Sequence, residues 1–475
     1  SLPVKIIKYE NLYAKTFEVF KDIIKFINKI TNSKKTSRRN FVLGSSAVAL
    51  SIASSNQANI YAASSSALDF AENKRDELID LLSQLISIRS QTGESAEEAQ
   101  LLVNKYLSNL PYKIEKSLDR PSLYQNHPEY MPPNPPSDGP FVNLVGWPEK
   151  NMRATSAIFS HIDTHTIEAG WETDPYKPII KTNRMYGLGA SDDKGGIAAM
   201  LIAAKILSEN NGPLPIVMSL HGKGGGSRGS LPVFERIRKQ EHNIQSVLYA
   251  HPAETGRGLE DIKNAVLGVL DLEMKIKGWR GPQMEIGSID SADWKEGGDA
   301  IEAAMRFMDI LDKEILQEIE INLGKIIGGD RIGSVPDQVK INFRLKFKAT
   351  NNWVDLLKKI QNEAQLFANQ ISLKENQYQI NVVANGYRTN PGEAKWDGRE
   401  SQVLRTSISE ITGKAPKSYP NHYAGDIRYP IRLLDVPAYG IGSLGGNFYG
   451  PNEWVDIDDL VKLTAVLVGT VEGWS

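Results

Sequence analysis

The chain has 475 residues, 24% of them charged, with a formal net charge of −2 and no cysteine. That length accommodates more than one domain, and nothing in the charge balance suggests nucleic acid or a strongly charged partner. The missing thiols exclude a disulfide framework and thiolate ligands, so any metal must sit on histidine and carboxylate.

Residues 1 to 66 read as an export signal and tail. Lys34-Lys35-Thr36-Ser37-Arg38-Arg39-Asn40-Phe41 is a twin-arginine pattern, followed by a mild apolar run to Ile52 and small residues through Ala63. No acid lies between Asp22 and Asp69. A basic segment, a modest apolar segment and small residues predict export by the twin-arginine route to a periplasmic or secreted location. The apolar run is too short and too serine-rich to predict a stable membrane span.

Amphipathic spacing predicts helices over 78–88 and 96–107. Pro121 to Pro140 reads as a proline-rich surface loop, and Phe141 to Val145 as the start of a strand. The run Ala157 to Phe159 predicts the end of a buried strand leading into His161-Ile162-Asp163. A polar connection follows, then the turn Gly187-Leu188-Gly189-Ala190-Ser191-Asp192-Asp193-Lys194-Gly195 and helix formers from Ile197 to Leu207. An imidazole at a strand end and a carboxylate at a glycine-rich turn can share the crevice outside the strand carboxyl ends of an open α/β sheet. Two more predicted strands, 214–220 and 246–250, end at His221 and His251. With only seven histidines in the chain, three imidazoles at three strand ends favour a site.

Between about 267 and 383 the order is strand (269–277), helix (299–314), two strands (325–327 and 339–347), helix (353–368) and strand (378–383). That is the ferredoxin-like order.

The central stretch resembles the zinc metallopeptidase family of aminoacylases, acetylornithine deacetylase, succinyl-diaminopimelate desuccinylase and the glutamate carboxypeptidases. The resemblance rests on His161-x-Asp163, then Trp171-x-x-Asp174-Pro175, then Gly187 to Gly195, in that order. It implies an α/β fold: a zinc-exopeptidase-like catalytic domain, with a central mixed sheet flanked by helices, over 67–266 and 386–475. It also implies an inserted ferredoxin-like α+β lid domain over 267–385, a surface available for homodimerisation. Gly425-Asp426-Ile427-Arg428 and Gly450-Pro451-Asn452-Glu453 resemble the last two motifs of the family.

By resemblance, two zinc ions bridged by one aspartate are implied, here Asp192. His161, Asp192 and His251 are expected to close one site, with Glu254 a competitor for the place of His251, and Asp163 to orient His161. The second ion lacks its ligands. The family's Glu-Glu pair, one carboxylate the base and the other a ligand, falls in Lys223-Gly224-Gly225-Gly226-Ser227-Arg228-Gly229, which has no carboxylate. The position of its last histidine holds Tyr449, whose phenol titrates near ~10 and is a poor zinc ligand. The segment Gly278 to Met284 lacks the lid histidine. One zinc per chain is therefore expected, with cobalt or manganese as substitutes, and Gly226 with Tyr449 as the places where a carboxylate and an imidazole would restore a second.

Three functions are consistent with these residues. The first is a metallohydrolase of amide or peptide bonds acting on small peptides or N-acyl amino acids, with Glu254 or Glu453 replacing the base. The others are an inactive relative that keeps the cleft and binds a peptide or amino-acid derivative, and an interaction protein using the lid surface. Lys223, Arg228, Arg344 and Arg428 are weaker candidates for holding a substrate carboxylate. The glycine run lacks the Gly-Lys-Ser/Thr ending of a phosphate loop.

Overall fold

The computed structural model describes residues 66–149, 154–279, 297–330, 335–372 and 377–475. The twin-arginine segment and Arg280 to Met284 lie outside them.

In chain order, helices α1 (Arg75–Ser87) and α2 (Glu97–Leu107) precede strands β1 (Tyr112–Asp119), β2 (Phe141–Pro148) and β3 (Ser156–His161). Helix α3 (Lys194–Glu209), strand β4 (Ile216–Leu220), helix α4 (Ser230–Lys239) and strand β5 (Ser246–Ala250) follow. Next come β6 (Ala265–Lys277), α5 (Ala300–Ile310), β7 (Glu320–Gly328), β8 (Gln338–Phe347), α6 (Trp353–Ile371) and β9 (Gln379–Thr389). The chain closes with α7 (Arg399–Thr412), β10 (Ala438–Ile441) and α8 (Ile457–Trp474).

The first sheet has the order β1-β2-β4-β3-β5-β10, parallel from β4 through β10 and antiparallel at β1 and β2. Strands β3, β4 and β5 are buried along their whole length, as apolar runs covered on both faces must be. On one face α3, apolar nearly all round, packs with α1, α7 and α8 around Ile158, Val217 and Leu248. On the other, Phe234 and Ile237 of α4 meet Phe159, Met218 and Tyr249.

The second sheet runs β7-β8-β6-β9, all antiparallel, which is the ferredoxin-like order. Alternation along β8 puts Val339, Ile341, Phe343 and Leu345 on the face covered by α5 and α6. Side-chain caps start both helices: Asp299 accepts from the backbone N–H groups of Ile301 and Glu302, and Asn352 from that of Asp355.

The 121–140 stretch is not only surface. Tyr130 and Met131 are buried, the Met131 carbonyl accepts from Ser227, and the Pro135 carbonyl accepts from Arg228. Its proline-limited backbone leaves carbonyls free, and the glycine loop after β4 uses them.

Candidate metal centre

Strands β3 and β5 end side by side, and their last turns carry the two imidazoles of the site. His161 Nδ1 lies 2.9 Å from the backbone oxygen of Asp163, and His251 Nδ1 lies 2.8 Å from that of Pro252. A carbonyl can only accept, so the neutral His161 ring carries its proton on Nδ1 and leaves Nε2 with a lone pair; His251 Nδ1 also lies 2.6 Å from Lys263 Nζ, and it carries the ring proton when that amine is neutral. Both Nε2 atoms face Asp192 Oδ1, at 3.0 Å from His161 and 3.2 Å from His251.

Asp192 is delivered by the turn before α3. The buried Glu453 carboxylate holds that turn by accepting the backbone N–H groups of Gly189 (2.8 Å), Ser191 (2.9 Å) and Asp192 (2.8 Å). Burial, with Asp192 nearby, raises the Glu453 carboxyl to about 7. A raised carboxyl can mark a proton acceptor, but these oxygens already accept three backbone N–H groups. Glu453 thus acts as an anchor for the turn.

The Asp163 carboxylate is 3.5 Å from His161 Nδ1, and its two oxygens accept the N–H groups of Gly222 (2.8 Å) and Lys223 (3.1 Å). It therefore ties the glycine loop to β3, while its main-chain oxygen orients the ring.

Three acceptors converge on one point. Asp192 Oδ1 is buried and accepts no hydrogen bond, and the ligand atoms of His161, Asp192 and His251 lie within 4.8 Å of one another. Zinc–nitrogen distances of about 2.05 Å in a tetrahedron place neighbouring ligands roughly 3.3 Å apart, close to the spacings here. Burial disfavours a charged His161, yet the Asp192 contact outweighs it and raises the imidazole to about 9, so an ion binding there must displace the Nε2 proton. His251 goes the other way, to about 3, through burial and the neighbouring Lys263 ammonium. The residues fit one divalent ion.

Glu254 stands beside this cluster, its Oε1 3.8 Å from His251 Nε2 and 3.7 Å from His422 Nε2, and it accepts from the Tyr449 hydroxyl. Burial would raise its carboxyl, but His422 overrides that and holds it at about 2. Lys223 reaches in from the glycine loop, its ammonium on Asp192 Oδ2 and 4.8 Å from the centre of the Tyr449 ring.

His221 does not join the other two imidazoles. Its backbone N–H donates to Asn143 Oδ1, and its ring lies against Phe141 with centroids 5.2 Å apart. Three basic candidates are committed elsewhere. Arg344 makes paired hydrogen bonds to Asp271 in the second sheet, at 2.6 and 2.8 Å. Arg228 donates to Thr92 and to the carbonyls of Lys223 and Pro135. Arg428, fully buried, donates to the carbonyls of Gly225, Ala424 and Gly425. Nor does Gly226 face the cleft: at φ +73° its added Cβ would lie 2.5 Å from the Tyr429 ring and 2.8 Å from the Asp426 oxygens. A carboxylate there cannot restore a second site.

Sequence reasoning missed His422 and Lys263. His422 comes from a short strand beside β6, and Lys263 places its Nζ 2.6 Å from His251 Nδ1. The scarcity of histidine was the only available signal for the first, and none pointed to the second.

The profile of peptidase family M20/M25/M40 matches residues 157–473. The succinyl-diaminopimelate desuccinylase of Zymomonas mobilis is 22% identical over 344 residues, covering 69% of this chain and 84% of that protein. Among solved structures, the aminopeptidase PepT of Bacillus cereus superposes with a TM-score of 0.64 at 17% identity, covering 84% of this chain and 98% of its own. The YXEP protein of Bacillus subtilis, described as a dinuclear metal binding peptidase of the M20 family, has a TM-score of 0.57 at 13% identity, covering 85% of this chain and 98% of its own.

Proposed function

This chain belongs to peptidase family M20/M25/M40 and is a metal-dependent hydrolase of amide or peptide bonds, and we propose that it works with one resident divalent ion and Glu254 as its proton acceptor. The observation that carries this reading is the convergence of His161, Asp192 and His251 on one point with the Glu254 carboxylate beside it. A divalent ion there supplies Lewis-acid chemistry, polarising a carbonyl and making water acidic enough to react near neutral pH. The chain's own groups do the rest. Asp163 and Pro252 fix the two imidazoles through their carbonyls, and Glu453 fixes Asp192. Glu254 takes a proton from the attacking water and can return it to the leaving nitrogen.

The substrates proposed are small peptides and N-acyl amino acids, and the ion zinc, with cobalt or manganese able to replace it. A panel of such substrates with each metal tests both. Glu254→Gln should keep the ion and lose about 10²- to 10⁴-fold in kcat, the usual contribution of a general base. Turnover within threefold of the unmodified protein would remove Glu254 from that role.

A homodimer through the inserted domain is supported by β7, the outer strand of the second sheet, which exposes Leu323, Ile326 and Ile327. Among the described residues no helix is long and apolar enough to cross a membrane. We propose export by the twin-arginine route on the strength of Arg38 and Arg39. Arg38→Lys with Arg39→Lys should trap the protein in the cytoplasm, and unchanged fractionation would rule the route out.

A further inference from the structure

The two oxygens of Asp192 face different groups. Oδ1 faces the imidazoles, and Oδ2 carries the Lys223 ammonium. We propose that the Lys223 ammonium stands in the place of a second metal ion, so that the cleft is mononuclear with a built-in monovalent cation. This rests on the metal reading of the cleft and goes beyond it by assigning a role to Lys223.

The geometry supports it in three ways. Lys223 is 7% exposed and its Nζ is aimed at Asp192, so the charge is built into the site. Its backbone is pinned as well, since its N–H donates to Asp163 and its carbonyl accepts from Arg228. The glycine loop and Tyr449 then add no ligand for a second divalent ion. Gly224, Gly225 and Gly226 offer no side chain, and the Tyr449 hydroxyl is donated to Glu254. An incoming ion would have to displace a buried ammonium from Asp192. The ammonium supplies fixed positive charge at the bridging carboxylate without needing ligands of its own. A protonated lysine in that contact has no lone pair, so Lys223 cannot serve as the base.

Zinc and cobalt(II) titrations of the metal-stripped protein, with elemental analysis after gel filtration, test the assignment. The unmodified protein should hold one ion per chain. Lys223→Met and Lys223→Gln each remove a like charge a few ångströms from the ion and should tighten its binding by about tenfold or more at low salt. Lys223→Arg, which keeps the charge, should stay within about threefold. Melting curves confirm that each variant is folded, and Lys223→Gln serves if Lys223→Met is not. Two ions in the unmodified protein, or binding unchanged or weakened in both neutral variants, would overturn the role of Lys223. No ion in the unmodified protein would instead overturn the metal reading beneath it.

Discussion

His161→Ala is expected to empty the metal site and to stop hydrolysis. Four-ligand structural zinc sites bind with about 10–16 kcal/mol, so one ligand is worth roughly 3–4 kcal/mol, or about 10²- to 10³-fold in affinity. The loss at His161 should reach the upper part of that range. Gly222 sits against the ring, where an added Cβ would lie 2.8 Å from His161 Cβ, so the loop brings backbone and no donor to the gap. His251→Ala should fall lower in the range, since Glu254 Oε1 is 3.8 Å from His251 Nε2 and can move in. His221→Ala is the control: it removes an imidazole from the neighbouring strand end and should leave the ion bound. Elemental analysis after dialysis reads all three. Retention of the ion by His161→Ala at wild-type affinity would refute the assignment.

How much of this could be read from residues alone depends on what kind of chain carries each group. His161 and Asp192 were legible because each follows a regular signal: a buried strand has a continuous apolar run, and a glycine-rich turn opens an apolar helix. The ferredoxin-like order was legible for the same reason, with alternation along β8 and amphipathic spacing along α6. The glycine loop has no period to read. Positive φ angles at Gly224, Gly225 and Gly226 turn the chain so that Lys223 faces the cleft and Gly226 faces Tyr429. Only the backbone path decides which residue points where. Arg228 and Arg428 were illegible for a related reason. As sequence they read as candidates for a substrate carboxylate, yet irregular loops leave backbone carbonyls unpaired, and buried guanidinium groups satisfy them. His221 shows the limit of counting: a strand end aims a side chain to one face or the other, and β4 turns its imidazole toward Asn143.

Glu453→Ala should be among the most destabilising single substitutions around the first sheet, and Glu453→Gln separates an anchor from a base. The carboxylate is 3% exposed and accepts the N–H groups of Gly189, Ser191 and Asp192. Hydrogen bonds to a charged group contribute about 1.5–3 kcal/mol each, and a buried donor left bare costs about 1–3 kcal/mol. Alanine leaves three such donors, and after partial relaxation and water entry the expected loss is roughly 3–6 kcal/mol. Glutamine keeps the shape and one acceptor oxygen, which can serve Ser191 and Asp192, but it turns an amide N–H₂ toward the Gly189 donor. That variant should lose about 1–3 kcal/mol and bind the ion more weakly, because the turn that presents Asp192 loosens. A residue that only moved a proton would behave differently. Its glutamine variant would keep stability and metal affinity while kcat fell. Denaturant midpoints, metal titration and kcat measured on the same preparation distinguish the two outcomes. Glu453→Gln with stability and ion binding intact and turnover abolished would transfer the base from Glu254 to Glu453.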